Sequence, residues 1–237
     1  MIGEGLPVVA VVVAGGAGVR MGGGTPKQYR LIAGAPVLAW TLCAFEKAAD
    51  VDEVILVVPP SDLAFVGEAI VDAFRVTKVR RIVEGGATRQ ESTAAGVAAV
   101  EASDGILLVH DGVRPFVSGE HIAAVVEAAW SVGAAILAVP VTDTVKRVDD
   151  RGCIEGTISR ENLWAAQTPQ GFRLPLFREA MARARQEGFA ATDEAMMVER
   201  MNHPVRIVPG DAENIKLTVP EDFARAARIA ERRSRPC

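Results

Sequence analysis

The residues best suited to chemistry lie in a glycine-rich stretch after the first apolar run of the chain. Residues 14–22 read AGGAGVRMG, and closely spaced glycines let backbone N–H groups approach phosphate oxygens because no Cβ stands in the way. Arg20 lies inside this stretch and Lys27 follows in PKQY, so one loop carries a guanidinium and an ammonium group. Such charged donors clamp polyanions. The stretch therefore predicts a loop that binds a triphosphate.

The same stretch differs from two common phosphate-binding motifs. It lacks the GKS or GKT ending of a Walker A loop. Its glycines do not run as GxGxxG into a helix, and no clear acidic strand end follows about 20 residues later, as a dinucleotide fold requires. An NAD-dependent dehydrogenase is therefore a distant alternative. A non-catalytic nucleotide-binding regulator is another, although it would be expected to lose the cations.

A second constellation follows the apolar run 106–109 and reads HDGVRPF from His110. Asp111, at the carboxyl end of a central strand, is well placed to hold Mg²⁺ beside a triphosphate. Arg114 could pair with a phosphate, and the alternative is an Asp111–Arg114 salt bridge that stabilises the loop. For His110 the sequence favours a structural role, because a histidine at a strand end is often a satisfied hydrogen-bond donor.

Several further segments are ordinary when each is taken alone. Residues 84–92, EGGATRQES, resemble a capped helix start, and TDEA from Thr192 resembles a helix N-cap. Thr144 opens a hairpin that Arg160 closes, and Lys216 is a late lysine beside a strand. None of these segments indicates a function by itself.

Alternating strands and helices must position these residues. Apolar runs typical of buried parallel strands occupy Val8–Val13 and residues 54–58, 106–109 and 135–139. Helical spacing occupies residues 38–49, 89–101 and 122–129. This alternation predicts an α/β, Rossmann-like three-layer fold with a mostly parallel central sheet. Ligands bind such sheets at the carboxyl ends of the strands, so we expect the loops after Val13, Val58, Val109 and Val139 to converge.

One stretch breaks the alternation. Residues 144–148 and 153–158 are half-polar and flank the turn-like sequence DDRG, which predicts a protruding β-hairpin. A lone two-stranded ribbon is marginal in water, so it should pack either on a second subunit or on its own domain.

Composition limits the remaining possibilities. The chain has 237 residues, 49% hydrophobic and 24% charged, which fits a single globular domain, and its net charge of −4 argues against a nucleic-acid polymer as partner. Cys43, Cys153 and Cys237 are an odd number without CxxC spacing, so we expect no disulfide framework or zinc site and a reducing compartment. The apolar run of residues 8–14 is too short to span a membrane. A cytoplasmic protein with no membrane partner is expected.

Together the segments resemble the 2-C-methyl-D-erythritol 4-phosphate cytidylyltransferase family of the non-mevalonate isoprenoid pathway. The resemblance runs in order from Val8 to Asp222 through AGGAGVRMG, PKQY, EGGATRQES, HDGVRPF, DTVKRV, SRENLWAAQTPQGF, TDEA and NIKLTVPED. The related ribitol-5-phosphate cytidylyltransferases share several of these segments and are the alternative, whereas DTVK, Leu163-Trp164 and TDEA favour the methylerythritol family. Gly15 stands where alanine is common, and Ala87 where an acidic residue can occur.

The resemblance implies an enzyme that joins CMP from CTP to a polyol phosphate and releases pyrophosphate. It implies one nucleotidyltransferase domain, residues 1–237, whose arm, residues 141–162, reaches across a homodimer. A cofactor is also implied, Mg²⁺ or another divalent cation, with Asp111 beside it and beside the sugar substrate.

Site roles also follow from the resemblance. Arg20 and Lys27 would stabilise the transition state, while Arg160 and Lys216 would position the methylerythritol phosphate. The residues implied to hold CTP through the glycine loop and the cytosine pocket are Ala14, Gly15, Gly16, Gly18, Gly86 and Ser92. Those implied to help bind the polyol phosphate are Asp111, Arg114, Thr144, Thr168 and Thr192.

Overall fold

The computed structural model describes residues 5–15, 24–233 and 236–237. Gly16, Gly18 and Arg20, which the sequence predicts to contact the nucleotide, lie outside the described residues. The strands are β1 Val8–Val13, β2 Leu31–Ile32, β3 Ala35–Pro36, β4 Glu53–Val58, β5 Val79–Glu84, β6 Ile106–Asp111, β7 Ala134–Pro140, β8 Val145–Val148, β9 Ile154–Ile158, β10 Trp164–Arg173 and β11 Arg206–Pro209.

The helices alternate with these strands along most of the chain. They are α1 Val37–Lys47, α2 Leu63–Val66, α3 Arg89–Ala98, α4 Gly119–Val132, α5 Leu174–Gln186, α6 Glu194–Glu199 and α7 Pro220–Glu231. A π-helical turn, Gly67–Asp72, continues α2. None of the helices in the described part of the chain is long and apolar enough to cross a membrane.

The central sheet is mostly parallel, as predicted. Its strand order is β11-β7-β10-β6-β1-β4-β5. β1 pairs in parallel with β4 and β6, whereas β10 pairs antiparallel with both β6 and β7. The antiparallel β10 thus lies beside β6, the strand that carries Asp111 at its carboxyl end.

Both faces of the sheet are covered, which makes the three layers. Along β1, Val8, Ala10 and Val12 belong to the apolar core that includes α1 and α4. Val9 and Val11 belong to the core on the other face, with residues of α3, α5 and α6. A strand buried on both faces reads as a continuous apolar run, which is why the sequence identified β1 correctly.

A smaller apolar cluster fixes the C-terminal part of the chain against the end of β6. It joins α7 to the β2–β3 ribbon and includes Trp40 and Phe116, whose rings meet edge to face. The backbone N–H of Leu217 donates to the Val113 carbonyl at 2.9 Å. Lys216 is therefore held beside the loop that follows Asp111, although it is distant in sequence.

The predicted elements mostly recur with small shifts at their ends. The helix expected over residues 89–101 ends at Ala98, and the strand expected over 106–109 extends to Asp111. The hairpin is present as the antiparallel pair β8 and β9. β5, β10 and β11 are strands that the sequence patterns do not predict.

The cysteines depart from expectation. Cys43 and Cys237 form a disulfide with a Cα–Cα distance of 5.3 Å, and Cys153 is free and exposed. The expectation of no disulfide framework fails for this one pair, because the C-terminus returns to α1 across 194 residues of sequence. Neither an odd cysteine count nor local spacing indicates such a contact.

His110 is a fully buried core residue near the end of β6. Its Nδ1 lies 3.1 Å from Thr168 Oγ1 and its Nε2 lies 3.1 Å from the Arg114 carbonyl oxygen. The carbonyl can only accept, so Nε2 carries the proton and donates, which leaves Nδ1 to accept from the Thr168 hydroxyl. Burial lowers the pKa of His110 to about 4. The structural role favoured by the sequence agrees with this geometry.

We expect His110 to make the protein less stable in acid. In the unfolded chain the pKa of His110 is about 6.5. Below that pH the imidazole binds a proton in the unfolded state but stays neutral in the folded state until about pH 4. The free energy of unfolding should fall as pH drops from about 6.5 to about 4, by about 3 kcal/mol from this residue, and then level off. Urea unfolding across this range, without divalent cations, measures the slope.

The control is the variant His110→Gln, compared by its pH slope and not by its absolute stability. Other titrating groups are common to both proteins and cancel in the difference. Identical slopes in the two proteins would show that the folded protein accepts a proton on His110 as readily as the unfolded chain does.

Candidate active site

A cavity of about 220 Å³ lies at the carboxyl edge of the sheet. Its walls come from the segments after β1, β5 and β6, together with the short 3₁₀ turn Lys27–Tyr29 and the segment before α7. The cavity lies at the edge of the sheet that the sequence predicts. The sequence also predicts contributions from the loops after Val58 and Val139, whereas the loop after β5 lines the cavity instead.

One end of the cavity is lined by backbone and small side chains. Gly15 follows β1, and Gly86 precedes α3, where Ser92 Oγ accepts from the Gly86 N–H at 3.1 Å. A Cβ added at Gly86 would lie 2.4 Å from Glu91 Cβ, so this position requires glycine by close approach. This part of the lining therefore offers backbone groups and little side-chain bulk.

The start of α3 is fixed independently of any ligand. Thr88 is its N-cap and forms a capping box with Glu91, as the sequence suggested. Gly96 lies further along α3, at a position where an added Cβ would be 2.4 Å from Val11 Cγ1 on β1. The helix therefore packs closely on β1, which holds its first turn at the cavity.

The other end of the cavity is built from charged groups around Asp111. Arg89 Nε donates to Asp111 Oδ1 at 3.0 Å, and Lys216 Nζ lies 2.9 Å from Asp111 Oδ2. Arg114 Nε is 3.6 Å from the same Oδ2, so the Asp111–Arg114 salt bridge considered from the sequence is present. Three cations from three segments thus surround one carboxylate.

A second carboxylate lies behind the first. Both oxygens of Glu194 accept from Arg89 Nη1, at 2.6 and 2.8 Å, and Thr93 Oγ1 donates to Oε1 at 2.9 Å. The Glu194 side chain is 1% exposed. Arg89 therefore bridges a carboxylate at the cavity and a carboxylate in the core.

Burial and charge compete in setting the protonation of this cluster. Burial would raise the pKa of Asp111, but Arg89 and then Lys216 outweigh it and hold that pKa well below its usual range. For Glu194 burial is the largest effect and raises the pKa, although Arg89 opposes it. Burial also disfavours the charged form of Arg89, yet Asp111 and Glu194 raise its pKa overall. Asp111 is ionised at neutral pH.

Asp111 and its neighbours are also fixed through the backbone. Thr168 Oγ1 accepts from the Asp111 N–H at 3.1 Å, and the peptide bond from Thr168 to Pro169 is cis. Arg114 Nη1 donates to the Asn214 carbonyl at 2.7 Å, and Asn214 Nδ2 donates to the Thr168 carbonyl at 2.9 Å. These bonds join the end of β6, strand β10 and the segment that carries Lys216.

The structure brings together most of the described residues that the sequence singled out. The predicted residues lining the cavity are Ala14, Gly15, Lys27, Gly86, Ser92, Asp111 and Lys216. Arg114 and Thr168 contact Asp111 and are hydrogen-bonded to protein groups, with Thr168 buried and the Arg114 side chain 11% exposed.

Three predicted substrate residues lie elsewhere in this chain. Thr144 and Arg160 are exposed at the base of the arm formed by β8 and β9, where Arg160 Nη1 donates to the Thr142 carbonyl. Thr192 is exposed just before α6, with Oγ1 3.7 Å from Met196 Sδ. Local sequence does not reveal whether a residue faces the site of its own chain.

The sequence patterns do not indicate Arg89 and Glu194 as site residues. Both lie in segments, EGGATRQES and TDEA, that helix capping alone explains. Asp193 does cap α6, accepting from the Met196 N–H at 3.1 Å. The extra signal was a charged residue beside each cap, but no spacing rule links residues 105 positions apart.

The donor set available to a metal is small. Among the described residues no group of three His, Cys, Asp or Glu side chains could hold a metal ion. Asp111 is the carboxylate at the cavity, and both its oxygens face cations. Mg²⁺ is usually held by one or two carboxylates together with substrate phosphates. These residues therefore fit a cation carried by a polyphosphate, not a resident protein cage.

Comparison with known proteins places the chain in a family. The family model for 2-C-methyl-D-erythritol 4-phosphate cytidylyltransferase matches residues 8–232. The protein of that name from Syntrophus aciditrophicus is 47% identical over 216 residues, which is 91% of this chain and 92% of that protein.

Solved structures agree. The 4-diphosphocytidyl-2C-methyl-D-erythritol synthase of Anaerococcus prevotii superposes with a TM-score of 0.84 at 30% identity, covering 97% of this chain and 98% of that one. The 2-C-methyl-D-erythritol 4-phosphate cytidylyltransferase of Thermus thermophilus gives a TM-score of 0.78 at 36% identity, covering 95% of this chain and 100% of that one. With the fold, the cavity and the ordered motifs in agreement, the chain belongs to the 2-C-methyl-D-erythritol 4-phosphate cytidylyltransferase family.

Proposed function

We propose that this protein transfers CMP from CTP to 2-C-methyl-D-erythritol 4-phosphate and releases pyrophosphate. Family membership favours this reaction over the ribitol-5-phosphate, dehydrogenase and regulator alternatives. The observation that supports it best is that one cavity is lined both by glycines and by cationic side chains. CTP and a phosphorylated polyol together need both kinds of contact. The proposal includes neither a nucleic-acid polymer nor a membrane as a partner.

The proposed chemistry is an in-line displacement. An oxygen of the polyol phosphate forms a bond to the α-phosphorus of CTP, and the bond from that phosphorus to the bridging oxygen breaks. Pyrophosphate leaves with the electron pair. A phosphate monoester has a second pKa of about 6, so the nucleophile is already largely a dianion at neutral pH and needs no general base. The buried, neutral His110 is consistent with this requirement.

The protein's task is then to bring two anions together and stabilise the charge at the α-phosphorus. We assign that stabilisation to Arg20 and Lys27, of which Lys27 lines the cavity and Arg20 lies outside the described residues. Lys216 is assigned to the polyol phosphate. That phosphate would compete with Asp111 for the ammonium group of Lys216. The backbone near Ala14 and Gly15, with Gly86 and Ser92, is assigned to cytosine.

A divalent cation, Mg²⁺ or another, belongs to the proposal as a companion of CTP. When bound it would neutralise phosphate charge, with Asp111 as its protein ligand. A cytoplasmic location stays a prediction. In such a reducing compartment the Cys43–Cys237 bond would be open to reduction.

We also propose that the arm formed by β8 and β9 completes the site of a second copy. Val148 and Ile154 on this ribbon are 53% and 65% exposed, and a ribbon of two strands is marginal alone in water. Thr144 and Arg160 lie at its base and away from the cavity of their own chain. A homodimer would cover the apolar side chains and could bring these two residues to the partner's polyol phosphate.

Replacing a transition-state cation should slow turnover without unfolding the protein. Lys27→Ala and Arg20→Ala are each expected to lower kcat by about 10²-fold or more, as the loss of a charged donor in a transition state does. The assay is pyrophosphate release from CTP. Arg183→Ala serves as a control, because Arg183 pairs with Glu179 on the exposed face of α5. Near-normal turnover in both site variants would remove these residues from the chemistry.

Substrate preference is tested by a panel of nucleotides and acceptors. Pyrophosphate release should require CTP and 2-C-methyl-D-erythritol 4-phosphate together, and ATP, GTP and UTP should replace CTP poorly. Ribitol 5-phosphate is the matched acceptor, since it is a polyol phosphate of similar size. A higher kcat/KM with ribitol 5-phosphate would contradict the assignment of the acceptor.

The shared site is tested by mixing two inactive variants, Lys27→Ala and Arg160→Ala. If Arg160 serves the partner, a mixed dimer contains one intact site, and an equal mixture should recover about a quarter of wild-type activity at full exchange. Subunit exchange is followed with two affinity tags. If Arg160 serves its own chain, the mixed dimer has no intact site, and exchange without recovered activity would refute the shared site.

A further inference from the structure

Arg89 and Glu194 form a pair whose contacts reach the cavity from the core. The Glu194 carboxylate accepts three hydrogen bonds, two from Arg89 Nη1 and one from Thr93 Oγ1. From the same guanidinium, Nε donates to Asp111 Oδ1 at 3.0 Å. A guanidinium is planar and rigid. Holding Arg89 Nη1 on Glu194 therefore fixes the direction from which Arg89 Nε approaches Asp111.

Asp111 passes this orientation to Lys216. One oxygen of Asp111 faces Arg89 and the other lies 2.9 Å from Lys216 Nζ. Arg89, Asp111 and Lys216 all line the cavity, and Lys216 is the most exposed of the three side chains, at 38%. The series of contacts therefore runs from a buried carboxylate to the cation assigned to the polyol phosphate.

We propose that Glu194, acting through Arg89 and Asp111, is a positioning residue that sets where Lys216 presents its ammonium group to the acceptor phosphate. This inference rests on the proposed function. Glu194 does not touch the cavity and is not a catalytic residue. Its two oxygens accept from Arg89 Nη1 and keep the guanidinium divided between two carboxyl groups, so that Asp111 retains one oxygen for Lys216.

A purely structural role for the pair is the competing explanation. Each helix terminus involved is already capped, α3 by Thr88 and α6 by Asp193, so neither depends on the pair for its end. A buried ion pair is weak evidence for stability, because well-packed apolar side chains in its place are often as stable. The pair is therefore better explained by the orientation it imposes on Asp111 than by stability.

The first test is Glu194→Gln, which keeps the shape of the side chain and removes its charge. Arg89 should then turn fully onto Asp111 and displace Lys216. We expect KM for 2-C-methyl-D-erythritol 4-phosphate to rise about 10-fold, as misplacement of a binding group does, while KM for CTP stays within about twofold. Asp193→Asn is the matched control, since Asp193 caps the same helix and accepts from Gln170 Nε2 at 3.0 Å.

A double-mutant cycle with Lys216→Ala separates positioning from a general loss of stability. If Glu194 acts through Lys216, adding Glu194→Gln to Lys216→Ala should raise the acceptor KM no further. Arg89→Lys is the second variant if Glu194→Gln does not fold, because lysine keeps the charge but cannot bridge both carboxylates with the same geometry. It should show the same selective rise in acceptor KM.

The possible outcomes distinguish a failure of the proposed function from a failure of the positioning role of Glu194. Wild-type protein that releases no pyrophosphate from CTP and the acceptor would overturn the proposed function and this inference with it. An active wild type in which Glu194→Gln behaves like Asp193→Asn, or raises both KM values alike, would overturn the inference alone. So would full additivity of the Glu194 and Lys216 changes.

Discussion

The pairing of the ionised Asp111 carboxylate with cations is the interaction on which the rest of the site depends. A carboxylate at the buried end of a central strand is costly unless charge and hydrogen bonds compensate it. Here the compensation comes from Arg89 on α3, Arg114 after β6 and Lys216 before α7. One buried charge therefore holds three separate parts of the chain at the cavity.

The sheet order makes this convergence possible. β6 lies between the parallel β1 and the antiparallel β10, so Ala14 directly after β1 and Thr168 on β10 both lie beside the end of β6. Thr168 links the Asp111 N–H to the neutral ring of His110, and Asn214 links β10 to the segment of Lys216. The polar groups under the cavity thus form a connected network, which raises the penalty for moving any one member.

The sequence predicted what local patterns encode and missed what only the folded chain brings together. β1 and the arm followed from continuous and half-polar runs, and the capped starts of α3 and α6 from residue type. β5 escaped notice because its polar residues interrupt the apolar run, and β10 because an antiparallel insertion breaks the expected alternation. The Arg89–Glu194 pair and the Cys43–Cys237 bond join residues more than one hundred positions apart, where no spacing rule applies.

The arrangement of charge explains why this site suits a nucleophile that is already an anion. Both described carboxylates, Asp111 and Glu194, are engaged by cations, and Asp111 is held ionised. The site thus uses these acidic groups to orient arginine and lysine side chains, and Asp111, the carboxylate that lines the cavity, is held in its ionised form. Arg89, Arg114 and Lys216 gather around Asp111, and Lys27 lines the same cavity. Such a field favours the approach of two phosphates, and a reaction that needed a general base would find no partner among these groups.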